Sequence, residues 1–241
     1  MMWVARTRGD VGARSVLDWW VNRFVHKRWR QDGNPSPLIP LAEPDGDSAQ
    51  LLTALRVQDP AAAKPLWQRF APVIFRMLRR MLGPQASIDD VVQVVLLRVF
   101  DRARHLRPPT DLRQVVVRTT VRVASGRLRR RRSRRLVSAS PSGGAGDLRT
   151  HDVAGQDAAI VARFYRILDR LSALDHIAFV LHYIEGLEVP EVATALEASA
   201  TRTARRLRRS VDEVIEAIKR DPLLSHRARS HQPPVIPGRP L

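Results

Sequence analysis

From Ala49 onward the apolar residues recur every three or four positions, the period of a helix, rather than every second position. "AQLLTALRVQ" runs up to Asp59-Pro60. "AAAKPLWQRFAPVIFRMLRRML" carries Leu66, Phe70, Val73, Ile74, Met77, Leu78 and Met81 on one stripe and stops at Gly83-Pro84. Both read as core helices, with Pro65 tolerated early in its helix and Pro72 expected to kink it. "SIDDVVQVVLLRVFDRAR" is rich in valine, which favours strands, yet Ile88, Val92, Val95, Leu96, Val99 and Ala103 share one helical face. Ser87 and Asp90 have capping-box spacing, and the acids of this stretch lie at the positive end of the helix dipole. The stretch therefore reads as a helix, with Asp90 and Gln93 forming a polar ridge beside its buried face.

The next stretch, "LRQVVVRTTVRVASGRLRRRRSRRL", fits two patterns. Val115, Val117, Thr119, Val121 and Val123 alternate as in a strand, while Leu112, Val115, Val116, Thr119, Val123 and Leu128 keep helical spacing. Its charge is plainer. Arg118, Arg122, Arg127, Arg129, Arg130 and the arginines that follow concentrate positive charge within a short length, as phosphate binding requires.

Beyond it, residues 136–157 are small, polar and rich in Gly and Ser, which predicts a linker. A second helical unit spans 158–221. Ile160, Phe164, Ile167, Leu168 and Leu171 form one stripe, and Ile177, Val180, Leu181 and Ile184 form another that ends at Gly186. Pro190 then opens a short helix, and Ser199 is placed to cap the next, from Ala200 to about Arg209. Two short helices on a tight turn, the second basic, read as a helix-turn-helix. On that second helix Thr203, Leu207 and Val211 face inward; Thr201, Arg202, Arg205 and Arg209 face outward, with Arg206 and Arg208 on the flanks.

The predicted architecture is all-α: two small helical domains joined by a flexible linker, the second containing the helix-turn-helix. Residues 1–48 read as an extension, partly helical through "SVLDWWVNRFVHKRW", 49–135 as the first domain, and 222–241 as a disordered tail.

Composition narrows the partners. The chain has 41 Lys+Arg against 24 Asp+Glu, a net charge of +17, and a 44% hydrophobic content that fits a folded protein. Such a surface attracts polyanions, nucleic acid first and anionic membrane second. There are no cysteines and no apolar run long enough for a membrane span, which fits a soluble cytoplasmic protein. The seven histidines have no metal-binding spacing, and neither a phosphate loop nor a GxSxG elbow is present. An enzyme is the weaker reading, and no metal or cofactor is implied.

Taken in order, "ALRVQDPAAAKPLWQRF", "DDVVQVVLLRVF" with its D-x-x-Q pattern, the arginine-rich helix end, and "LSALDHIAFVLHYIEGLEVPEVATALEASATRTARRLRR" resemble a bacterial RNA polymerase sigma factor of the extracytoplasmic-function, two-domain sigma-70 family. The resemblance covers about Ala49 to Lys219. It implies that Asp90 and Gln93 dock on core RNA polymerase, and that the region around Arg118 to Arg130 opens and reads the downstream promoter element. It also implies that Thr201, Arg202, Arg205, Arg206 and Arg209 read the upstream element, with an anti-sigma factor as a further candidate partner. The chain departs from the family's pattern at Val94, Val115, Arg122, Gly126, Glu197 and Thr203, where an acid, a Trp, an Asn, an Asp, a Gly and an apolar residue are usual. The alternative functions are a sigma-like regulator that binds DNA without initiating transcription, or an adaptor that binds RNA or a membrane surface through the N-terminal aromatics.

Overall fold

In the computed structural model, residues 46–84, 86–106, 111–137 and 156–230 are described, and every element among them is helical. The first unit contains α1 (Gly46–Arg56), a 3-10 turn (Pro60–Ala62), α2 (Ala63–Leu82), α3 (Asp89–Ala103) and α4 (Leu112–Val137). The second contains α5 (Gln156–Leu168), α6 (Ala173–Phe179) running into a π-turn (Val180–Ile184), α7 (Val189–Leu196), α8 (Ala200–Arg220) and α9 (Pro222–Ser230). Among the described residues no helix is long and apolar enough to cross a membrane. The N-terminal aromatic segment, most of the linker and the last eleven positions lie outside the described residues.

The stripes read from the sequence make the core. Leu66, Phe70, Ile74, Met77, Leu78 and Met81 of α2 are buried, as are Val92, Val95, Leu96 and Val99 of α3. Pro72 sits inside α2, which continues past it. Pro72 and Gln68 are both exposed, so the carbonyl that loses its donor faces water. The Ser87 capping box does not form: Ile88 is the N-cap of α3 and makes no side-chain cap bond. Ile88 is buried, and its burial sets where the helix starts, while Asp89 and Asp90 still supply charge to the first turn.

The ambiguous stretch is helical. Leu112, Val115, Val116, Val117, Thr119, Thr120, Val121, Val123 and Ala124 are all buried, because α4 packs against α2 and α3 on one side and against α6 and α7 on the other. A helix covered on both sides has no clean polar face, which is why its period was unreadable.

The two units share that packing. Tyr165 of α5 lies against Gly83 at the end of α2, and its hydroxyl donates to the Arg80 carbonyl at 2.7 Å. A Cβ at Gly83 would sit 3.0 Å from the Tyr165 ring, and φ there is +89°, so both space and backbone demand glycine. Arg80 donates to Glu185 at 2.7 Å, both fully enclosed. On the rim, Arg132 donates to the Leu171 carbonyl at 3.0 Å and Arg131 lies 3.3 Å from Asp169. His176, buried in this seam, is held neutral by desolvation and then by Arg131, with its pKa lowered to about 3.

The tail expected to be disordered from residue 222 begins instead with α9. Asp221 Oδ1 accepts from the amides of Leu223 and Leu224, Pro222 takes the first helical position, and Leu224 is buried against α5 and α8. An Asp-Pro pair is a helix-start signal, so this helix was readable.

Candidate nucleic-acid interface

Three local features assemble the helix-turn-helix. Glu188 caps α7 in a reciprocal capping box with Glu191, and Pro190 fills an early position. Glu197 turns the chain in a left-handed conformation, φ 53° and ψ 44°, a position where a side chain costs about 1–2 kcal/mol. Ser199 then caps α8 by accepting from the Arg202 amide at 3.3 Å.

α8 splits as its spacing requires. Thr203, Leu207, Val211, Val214 and Ile218 are buried, while Thr201, Arg202, Arg205, Arg208 and Arg209 are exposed and Arg206 is half-buried. Arg202, Arg205, Arg206 and Arg209 line a groove of about 590 Å³. Two of these arginines are oriented by a residue that the sequence did not single out. Asp175, buried in the first turn of α6, accepts from Arg206 at 2.7 Å, from Arg209, and from the Ser172 hydroxyl at 2.6 Å. Only the Ser-x-x-Asp spacing of "SALD" hinted at it. Arg202 and Arg205 make no ion pair among the described residues and project freely.

Thr203 keeps a price of its own within the core: it is completely buried and its hydroxyl has no hydrogen-bond partner. Thr203→Val keeps the shape and removes the unpaired group, so it is expected to stabilise the protein by about 1 kcal/mol. A thermal melt should show a rise of roughly 2–4 °C, and a fall would mean the hydroxyl is satisfied.

On the first unit the predicted basic residues do not act alike. Arg127, Arg129 and Arg130 are exposed along the outer part of α4. Arg118 is half-buried and reaches Gln114 at 3.4 Å, and Arg122 is paired with Glu197 at the turn of the other unit. Asp90 and Gln93 are both exposed on α3. Gln93 borders an apolar cleft of about 420 Å³ that includes Trp67, Leu96, Leu97 and Phe100. Trp67 and Leu97 are 49% and 61% exposed, unusual for such side chains at the surface of an otherwise well-filled core. Leu97 falls off the buried stripe of α3, and that was the available signal for this surface.

Comparison with known proteins places both units. Residues 66–134 match the family model for Sigma-70 region 2, and residues 162–213 match that for Sigma-70, region 4. No curated protein sequence matches the chain. Among solved structures, CnrH in complex with the cytosolic domain of CnrY has a similar fold. The TM-score is 0.50 at 20% identity, over 72% of this chain and 98% of that one. With region 2 and region 4 matched in that order over half its length, the chain belongs to the sigma-70 family, and its role lies in transcription initiation with RNA polymerase and promoter DNA.

Proposed function

We propose that this protein directs core RNA polymerase to a restricted set of promoters, the polymerase supplying all of the catalysis. The observation that carries the reading is the Ser199-capped α8, whose arginine groove opens outward while its other face fills the core. Thr201, Arg202 and Arg205 then contact base edges of the upstream element, and Arg206 and Arg209 hold its phosphates while Asp175 sets their angle. Arg127, Arg129 and Arg130 bind phosphates near the downstream element, with Arg118 and Arg122 closest to its bases. Asp90 and Gln93, beside the apolar cleft, dock on the polymerase. CnrH was solved with the cytosolic domain of CnrY, and an anti-sigma factor is the candidate regulatory partner here.

Transcription in vitro with purified core enzyme is the test. Promoter-dependent transcripts are expected only when the protein is added. Asp90→Ala combined with Gln93→Ala should weaken co-purification with core polymerase at least tenfold, and unchanged association would remove the docking ridge from the proposal. Arg205→Ala should relax sequence preference, costing about 1–3 kcal/mol of discrimination at its base pair. DNA binding without any transcripts would favour a sigma-like regulator instead.

A further inference from the structure

Two residues with no obvious reason to be where they are meet each other. Glu197 occupies a left-handed turn position that favours glycine, and its carboxylate accepts from the Arg122 guanidinium through both oxygens. Arg122 comes from the middle of α4, so the pair joins the basic helix of the first unit to the turn of the helix-turn-helix in the second. The hydrogen bond from Arg122, and then the charges of Arg122, Arg118 and Arg102, keep the pKa of Glu197 below the ordinary value against the desolvation that opposes them.

The pair does not stand alone. Two residues of the arginine block, Arg131 and Arg132, are turned onto Asp169 and the Leu171 carbonyl of the second unit. Arginines that a nucleic-acid-binding helix would offer to phosphates are thus occupied by acceptors of the protein itself. Glu197 lies two residues before Ser199, the cap of α8, so the pair ties α4 to the turn that leads into the basic helix.

We infer that the Arg122–Glu197 pair is an autoinhibitory latch: it holds the two units closed in the free protein, with Arg122, Arg131 and Arg132 of α4 turned onto the second unit, and must open before promoter DNA is gripped by both. The inference rests on the promoter-directing role proposed above. Phosphate and Glu197 compete for the same guanidinium, so DNA binding and opening are coupled, and each favours the other. Both side chains of the pair are 40% exposed, so the latch is a modest bias added to a larger buried seam and shifts a population rather than locking a state.

The chain contains no cysteine, so Gln68→Cys and Asp212→Cys, exposed positions in α2 and α8, can carry a donor and an acceptor dye on the full-length protein. Without DNA, Glu197→Gly should raise the low-transfer, open fraction about two- to fivefold while the thermal midpoint is held or raised, because the turn loses its strain. Arg122→Glu should open the chain further, and adding Glu197→Arg should restore the closed fraction. Transfer efficiency unchanged in Glu197→Gly and Arg122→Glu, or an Arg122→Glu effect that Glu197→Arg does not reverse, would overturn the latch. Because this readout contains neither DNA nor polymerase, it is independent of the transcription assay: dye transfer that responds as described alongside absent transcripts would sink the promoter-directing role and leave the closed pair standing.

Discussion

Glu185→Ala is expected to destabilise the closed protein by about 3–5 kcal/mol, because it strips the counter-charge from a guanidinium that is enclosed between the two units. Arg80 and Glu185 are 1% and 2% exposed and 2.7 Å apart. Such a pair adds little net stability when intact, since desolvation offsets much of the attraction, yet losing one member leaves a cation with no water to replace the lost partner. Glu185→Gln keeps an acceptor in place and should cost less. Chemical denaturation monitored by circular dichroism, with the dye-labelled protein reporting unit separation, checks both. A loss under about 1 kcal/mol for Glu185→Ala would mean that water reaches the seam.

The same carboxyl gives a pH signature. Burial pushes Glu185 up to about 7, against the opposing pull of Arg80 and Arg76. A folded pKa above the ordinary 4.5 means the folded protein holds an extra proton between about 4.5 and 7. That contribution is complete at the acid end and is lost as pH rises through about 7. His176 acts in the opposite sense: its folded pKa of about 3, against 6.5, adds stability above pH 6.5 that is lost on acidification. The two slopes overlap and partly cancel in the wild type. The difference between wild type and Glu185→Gln isolates the carboxyl and should decline from pH 4.5 to pH 7, whereas a flat difference would mean that Arg80 and Arg76 offset its burial in full.

The contrast between these residues and the helices around them shows where local sequence stops being informative. α2, α3 and α8 were legible because each buries one stripe, and the Ser199 cap is encoded within a few residues, whereas a glutamate gives no local signal of the left-handed turn made at Glu197. α4 was not, because its valines are buried on both sides by elements of both units. Ser87 has the composition of a cap but loses to the burial of Ile88. Arg80 and Glu185 are separated by 105 positions and Arg122 and Glu197 by 75. Nothing in the periodicity of either partner foretells such a pairing. The sequence separates two units joined by a linker; their docking is a tertiary fact set by charge and shape at long range.

Asp175 is the residue on which the candidate upstream contact turns. Its carboxylate is nearly enclosed and accepts from two arginines of α8 while also receiving the Ser172 hydroxyl at the start of α6. One side chain thereby fixes the rotation of the recognition helix and the angle of half its arginine groove. Asp175→Ala should cost about 2–4 kcal/mol of stability, since Arg206, 19% exposed, loses its counter-charge without gaining full access to water. Its effect on DNA should split. Affinity for a cognate promoter fragment is expected to fall at least tenfold, because arginines free to rotate no longer arrive at fixed positions. Affinity for scrambled duplex should hold or rise, and its salt dependence should steepen, because removing a carboxylate beside the groove leaves more net positive charge to displace counterions. Asp175→Asn, which keeps an acceptor for one arginine, should fall between. Fluorescence anisotropy on both duplexes at two salt concentrations, at a temperature where the variants remain folded, measures the split. If cognate and scrambled affinities drop in parallel, Asp175 serves only to hold the domain together, and sequence reading must then rest on Arg202 and Arg205 alone.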